Sequence, residues 1–190
     1  MKRSMEFELA WQGLKLGEHI LDFQLNSAFL TDYGVMPEDI SDIQANVTVK
    51  FDKHESFFAL HFDIDGFVIT ACDRCGDDFK MMLWDEFDLI IKLNEAEATE
   101  EEEEEDADVV FIPRSETVLD LSKWLYEFLI LSIPLQRVHP TQSNGESGCN
   151  EAVLKLLGQF TEQTEEKKND IWKGLESIKI NNNNNKHKNK

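Results

Sequence analysis

The chain has little of what marks a secreted, membrane-spanning or phosphate-handling protein. It holds only three cysteines, an odd number that argues against a disulfide framework. No run approaches the ~20 apolar residues that a membrane helix needs. Met1 to Trp11 alternates Glu6 and Glu8 with Phe7 and Leu9, so it lacks the apolar centre of a secretory leader. Gly13 and Gly17 stand without the spacing of a phosphate-binding loop, and His19, His54 and His61 are scattered. Carboxylates are so abundant that any acidic pair is expected by chance. These absences predict a soluble cytoplasmic protein that acts by binding, and not an enzyme.

Positive charge is also scarce, with 19 Lys and Arg against 38 Asp and Glu, a formal net charge of -19. Such a surface repels phosphate backbones and anionic lipid at long range and suits a basic partner. The same surface also serves solubility alone.

What is present is enough for a core. The chain has 190 residues, 41% of them hydrophobic, with 13 phenylalanines, which fits one domain with tails. Ile43, Ala45, Val47, Val49 and Phe51 alternate with Gln44, Asn46, Thr48 and Lys50, a period of two that places one face on a core. Phe58, Leu60, Phe62 and Ile64 repeat it after a polar turn at Lys53 to Ser56, which predicts an antiparallel hairpin. Met5, Phe7 and Leu9 read as a short early strand, and Leu21, Phe23 and Leu25 as another. Asp65-Gly66 reads as a turn, followed by strands over Phe67 to Ala71, Phe79 to Leu93 and Val109 to Ile112.

Glu95 to Asp108 holds ten acidic residues in fourteen, without an apolar face, and reads as a disordered insertion. Asp120 is placed to cap a helix in which Leu121, Trp124, Leu125, Phe128 and Leu129 share a face, and Pro134 stops it near Leu131 or Ser132. Another helix is expected over Glu151 to Phe160, then a polar stretch from Thr161 to Asn169. One more turn would put Ile171, Trp172, Leu175 and Ile178 on a face, and Asn181 to Lys190 reads as a disordered tail. The expected fold is α+β, a curved antiparallel β-sheet from the N-terminal half with a segregated layer of C-terminal helices. It would fill residues 1–160 as one domain, with 161–190 as a polar extension.

Cys72-Asp73-Arg74-Cys75-Gly76 is the most pointed local motif. Two thiolates separated by two residues can grip one soft metal ion, and the following glycine permits a tight knuckle. His139 and Cys149 lie in a later loop rich in Pro, Ser, Asn and Gly, so Cys72, Cys75, His139 and Cys149 would make a Cys₃His zinc site. Unpaired surface thiols, or a relic site without metal, are the alternatives. Redox use of the pair is disfavoured, because a strand pattern and not a helix follows, and Asp77 and Asp78 would raise a thiol pKa.

From Ala71 to Phe79 the sequence resembles the YceD-like family, whose members carry a C-x-R-C segment after paired strands. The likeness continues at Leu119-Asp120-Leu121, at Glu127, Leu131, Pro134 and His139, at Cys149, and over Asp170 to Lys179. It implies a bacterial factor for accumulation or processing of large-subunit ribosomal RNA, without implying catalytic residues. Two partners follow. RNA would be met by Arg74 and Arg137, with Arg114 and the late lysines in reserve. A basic ribosomal protein would be drawn by Glu100, Glu101, Glu102, Glu103, Glu104 and Glu105. A zinc- or thiol-dependent protein working through the CxxC pair is the alternative function.

Overall fold

The computed structural model describes residues 5–94, 108–143 and 145–165. A short 3₁₀ turn over Met5–Phe7 leads into β1 (Glu8–Leu9), and a second, Trp11–Gly13, precedes β2 (Gly17–Asn26). Then come α1 (Ser27–Tyr33), β3 (Ile40–Lys53), β4 (Phe57–Ala71), β5 (Asp78–Asn94) and β6 (Val109–Pro113). β7 (Leu119–Asp120), α2 (Ser122–Leu131) and α3 (Glu151–Glu165) complete the order. No helix among the described residues is long and apolar enough to cross a membrane.

The protein is α+β, built on a five-stranded, mostly antiparallel sheet in the order β2-β3-β4-β5-β6. The alternation seen in the sequence sets its faces. Ile43, Val47, Val49 and Phe51 of β3, and Phe58, Phe62 and Ile64 of β4, are fully buried, while their sequence neighbours point to the other side. His54 donates its backbone N–H to Phe57 O at 3.0 Å, closing the hairpin where the polar turn was expected.

The buried face is sealed by aromatic contacts. Phe128 of α2 stacks on Phe87 of β5 at 4.6 Å and meets Phe62 edge-on at 4.9 Å. Leu121, Leu125 and Leu129, one helical turn apart, are fully buried beneath it. Trp11 from the 3₁₀ turn packs on Phe58 at 4.9 Å. β1 and β7 pair as a separate two-stranded ladder that holds the N-terminal segment beside the start of α2.

Four details depart from the sequence expectations. Asp65-Gly66 is no turn, because β4 runs unbroken through it. The glycine is needed there because a side chain would collide with the neighbouring strand: an added Cβ would lie 2.2 Å from Gln44 O. β6 runs parallel to β5, where the sequence led to an antiparallel sheet, because period-two alternation marks a strand without encoding its direction. The helices are not confined to the C-terminal half. α1 is capped by Asn26, whose side-chain oxygen accepts from the N–H of Ala28 at 3.0 Å and of Phe29 at 3.1 Å. Finally, the early strand is reduced to Glu8–Leu9, with Met5–Phe7 in a 3₁₀ turn.

Asp120 lies in β7, yet its carboxylate does accept from the Ser122 N–H at 3.0 Å, and α2 ends at Leu131 as Pro134 dictates. The chain divides into two units, Met1–Cys149 and Asn150–Lys190. Within the second, α3 continues to Glu165, past the Phe160 expected from its pattern, and Asn150 caps it through the Ala152 N–H at 3.0 Å. The acidic segment 95–107, the short helix from Asp170 and the Asn/Lys tail lie outside the described residues.

Replacing Gly66 with Ala should push β3 and β4 apart and lower stability by about 1–3 kcal/mol, the usual cost of overpacking. Urea unfolding measures it. An unchanged midpoint would mean that the strands separate freely at Gln44.

Candidate metal centre

The knuckle forms where β4 turns into β5. Cys72 donates its backbone N–H to Asp77 O at 3.0 Å, and Gly76 donates to Cys72 O at 2.8 Å. Gly76 holds φ +78°, in the left-handed region that a glycine enters without strain. This tight turn directs both cysteine side chains toward one point.

The loop after α2 is fastened across the knuckle by a two-way bond. Asp73 donates its N–H to Arg137 O at 2.8 Å, and Arg137 donates its own N–H to Asp73 Oδ2 at 2.7 Å. The Arg137 guanidinium pairs with Asp39, reaches Asp73 Oδ1 at 3.6 Å, and is only 18% exposed. Arg137 therefore spends its charge on the loop, whereas Arg74 is exposed. Beyond Arg137 the chain doubles back. Thr141 and Ser147 form an antiparallel bridge, with Gly145 at φ +85° in the bend. Gly148 fits only as glycine, since an added Cβ would lie 2.8 Å from Pro140 O. The hairpin thus returns Cys149 to the side of His139.

All four expected ligands converge. Their nearest ligand atoms lie within 4.8 Å of one another. Cys72 Sγ is 3.7 Å from Cys149 Sγ, and Cys75 Sγ is 3.5 Å from His139 Nδ1. Zinc bonds of ~2.3 Å to sulfur and ~2.05 Å to nitrogen at tetrahedral angles set edges of about 3.8 Å and 3.6 Å. The two observed separations lie close to those edges, and three thiols with one imidazole are donors that zinc takes, so the set is compatible with the ion. Cys72 and Cys149 are buried, and the His139 ring lies against Phe79 at 4.5 Å.

Burial raises the Cys72 thiol, but the backbone N–H groups of His139, Cys75 and Arg74 and the His139 side chain outweigh it. They lower it from 9.0 to about 6. Asp77 and Asp78 were expected to raise it; the sulfur instead sits among N–H donors. Cys72 directly follows β4 and no helix begins at it, as the pattern after Gly76 indicated.

Other candidates are placed apart. His61 Nδ1 lies 2.8 Å from Asp88 Oδ1 on the outer face of the sheet. Glu100 to Glu105 lie outside the described residues. The residues that sequence reasoning missed are Asp39 and Asp73, which hold the loop through Arg137. Asp73 stood inside the motif, but nothing local pointed to Asp39.

An α+β domain with a Cys₃His cluster at the rim of its sheet defines the class. A family model described as "Large ribosomal RNA subunit accumulation protein YceD" matches residues 60–179, more than half of the chain and all four cluster residues. The chain belongs to that family. No curated protein and no solved structure matches it.

The Arg137 guanidinium, through its hydrogen bond to the carboxylate, holds Asp39 below its ordinary pKa of 3.8. A depressed folded-state value means that the pair's contribution is complete above about pH 3.8 and disappears as pH falls through the lower folded value. Asp39 is 41% exposed, so solvent screens the effect. Asp39→Asn should flatten that part of the acid-unfolding curve and leave its shape near neutral pH intact. An unaltered acid limb in the variant would show that the pair carries no linkage.

Proposed function

We propose that the chain is a non-enzymatic cytoplasmic factor supporting accumulation, processing or assembly of large-subunit ribosomal RNA. The observation that carries this reading is the family match, whose description names large ribosomal RNA subunit accumulation. Depleting the protein should lower large-subunit RNA relative to small-subunit RNA and deplete large particles in a gradient profile. Unchanged RNA and particle ratios would overturn it.

Within that reading, Cys72, Cys75, His139 and Cys149 hold one structural zinc ion. The closure of the four donors supports it. With every tetrahedral position taken by protein, no place is left for a water or substrate, which favours a structural ion over a catalytic one. The same closure weighs against the thiol-dependent alternative, because a sulfur that ligates the ion is not free to react; Cys72 is buried and Cys75 half-buried. The ion would fasten the loop after α2 to the end of β4.

Charge favours a basic ribosomal protein over RNA as the direct partner. The net charge of -19, including Glu100 to Glu105, sets a repulsive background for phosphate and an attractive one for Lys and Arg. Of the two arginines weighed for RNA, Arg74 is the exposed one.

The purified chain should carry about one zinc ion. Cys75→Ser and His139→Ala should each lose it and melt several degrees lower. A metal-free protein whose melting ignores added zinc would remove the ion from this account and leave the ribosomal role to the depletion test.

A further inference from the structure

The sheet's second face is not covered by the helices that seal the first. Ile20, Met82, Trp84 and Ile90 stand on it, with Met82 69% and Trp84 75% exposed. A Trp turned outward on a regular strand loses the burial that normally repays its size. Around it the register sets a particular neighbourhood. Trp84 faces Asp65 across the β4–β5 ladder, Met82 faces Phe67, Glu86 faces Asp63 and Asp88 faces His61. A groove of about 500 Å³ runs beside them, bordered by Gln24, Gln44, Asn46, Asp65, Phe67 and Met82. The strip is therefore aromatic at its centre and carboxylate-rich along its flanks.

Two features show what this strip receives. Lys80 Nζ already sits 3.6 Å over the Phe67 ring, so the surface holds a cation on an aromatic face beside carboxylates. The strip also lies on an open strand, because β6 pairs only with Ile90–Asn94. Among the described residues no strand pairs with the outer edge of β5 over Asp78–Leu89. An extended chain can lie along such an edge, with alternate side chains turned onto the face.

We propose that the outer face of β4 and β5 around Trp84 docks an extended Arg/Lys-rich polypeptide segment. Guanidinium planes stack on Trp84, and cations pair with Asp63, Asp65 and Glu86. Asp88, in contact with His61, adds a fourth carboxylate to the face. The exposed Trp and the side-chain amides would also suit an unpaired nucleic-acid base. Four carboxylates against Lys80 make this strip repulsive to phosphate, which decides for the polypeptide. The proposal rests on the ribosomal reading for its context and specifies the surface that meets a basic protein.

The test uses the full chain and three labelled probes: a peptide alternating arginine with valine, one alternating glutamate with valine, and a single-stranded RNA. The arginine peptide should bind, more weakly as salt rises, and the other two should not. Trp84→Ala should weaken binding about tenfold, Trp84→Phe should restore most of it, and the double reversal Asp65→Lys, Glu86→Lys should abolish it. These positions are exposed, and urea midpoints equal to wild type verify that each variant is folded. Arginine-peptide affinity unmoved by the reversal, or tighter binding of RNA than of the peptide, overturns the proposal. The two readings separate in cells. If depletion lowers large-subunit RNA but the folded reversal variant rescues fully, the docking surface falls and the ribosomal role stands. If depletion changes nothing, the role falls and the peptide titration still judges the surface.

Discussion

The register of β4 between β3 and β5 is the constraint from which the rest follows. Because side chains alternate along a strand, one pairing register fixes three things together. It turns Phe58, Phe62 and Ile64 into the core, leaves Asp63, Asp65 and Phe67 on the outer face, and sets Cys72 just past the end of the strand at the rim. A slip of one residue would exchange the faces and carry the knuckle away from Arg137. Gly66 holds the register where β3 comes too close for any side chain, with Gln44 O at a distance only a glycine tolerates.

Much of this was legible in the sequence, for an identifiable reason. Where strands are buried on one face only, the period-two pattern is complete, and β3 and the first part of β4 appear with their connecting turn in place. The departures arise where one residue type serves two purposes. Asp-Gly is a strong turn signal, yet Gly66 is there for the approach of a neighbouring backbone. Val109 to Ile112 reads as a strand, but nothing in its own residues says that it runs parallel to β5. α1 is a short helix entered directly from β2, with only Phe29 and Leu30 buried, too brief for a helical period to emerge.

The rim site was legible in its ligands and not in its supports. The two-residue gap nominated Cys72 and Cys75 as a chelating pair, and residue type alone added His139 and Cys149. Their spacing was uninformative, because the distance between His139 and Cys149 is absorbed by the hairpin through Thr141 and Ser147. Aspartate is too common in this chain for Asp39 and Asp73 to stand out. Arg137 looked like a cation for a partner, and only the fold shows it turned inward between them.

The rim also differs from the sheet in how far apart its pieces lie along the chain. β3 and β4 meet through a turn at residues 54–56, whereas Cys72 and Cys149 are separated by 77 positions. Loop-closure entropy grows with the logarithm of length, so the second closure costs roughly 3 kcal/mol more than a turn of a few residues. Consecutive hairpins can form early from local encounters, while the rim must wait until the loop after α2 returns. By the same measure the cluster belongs with the late closures of the first unit, alongside the β1–β7 ladder, whose Glu8 and Asp120 lie farther apart still, and its integrity depends on the sheet having formed before it.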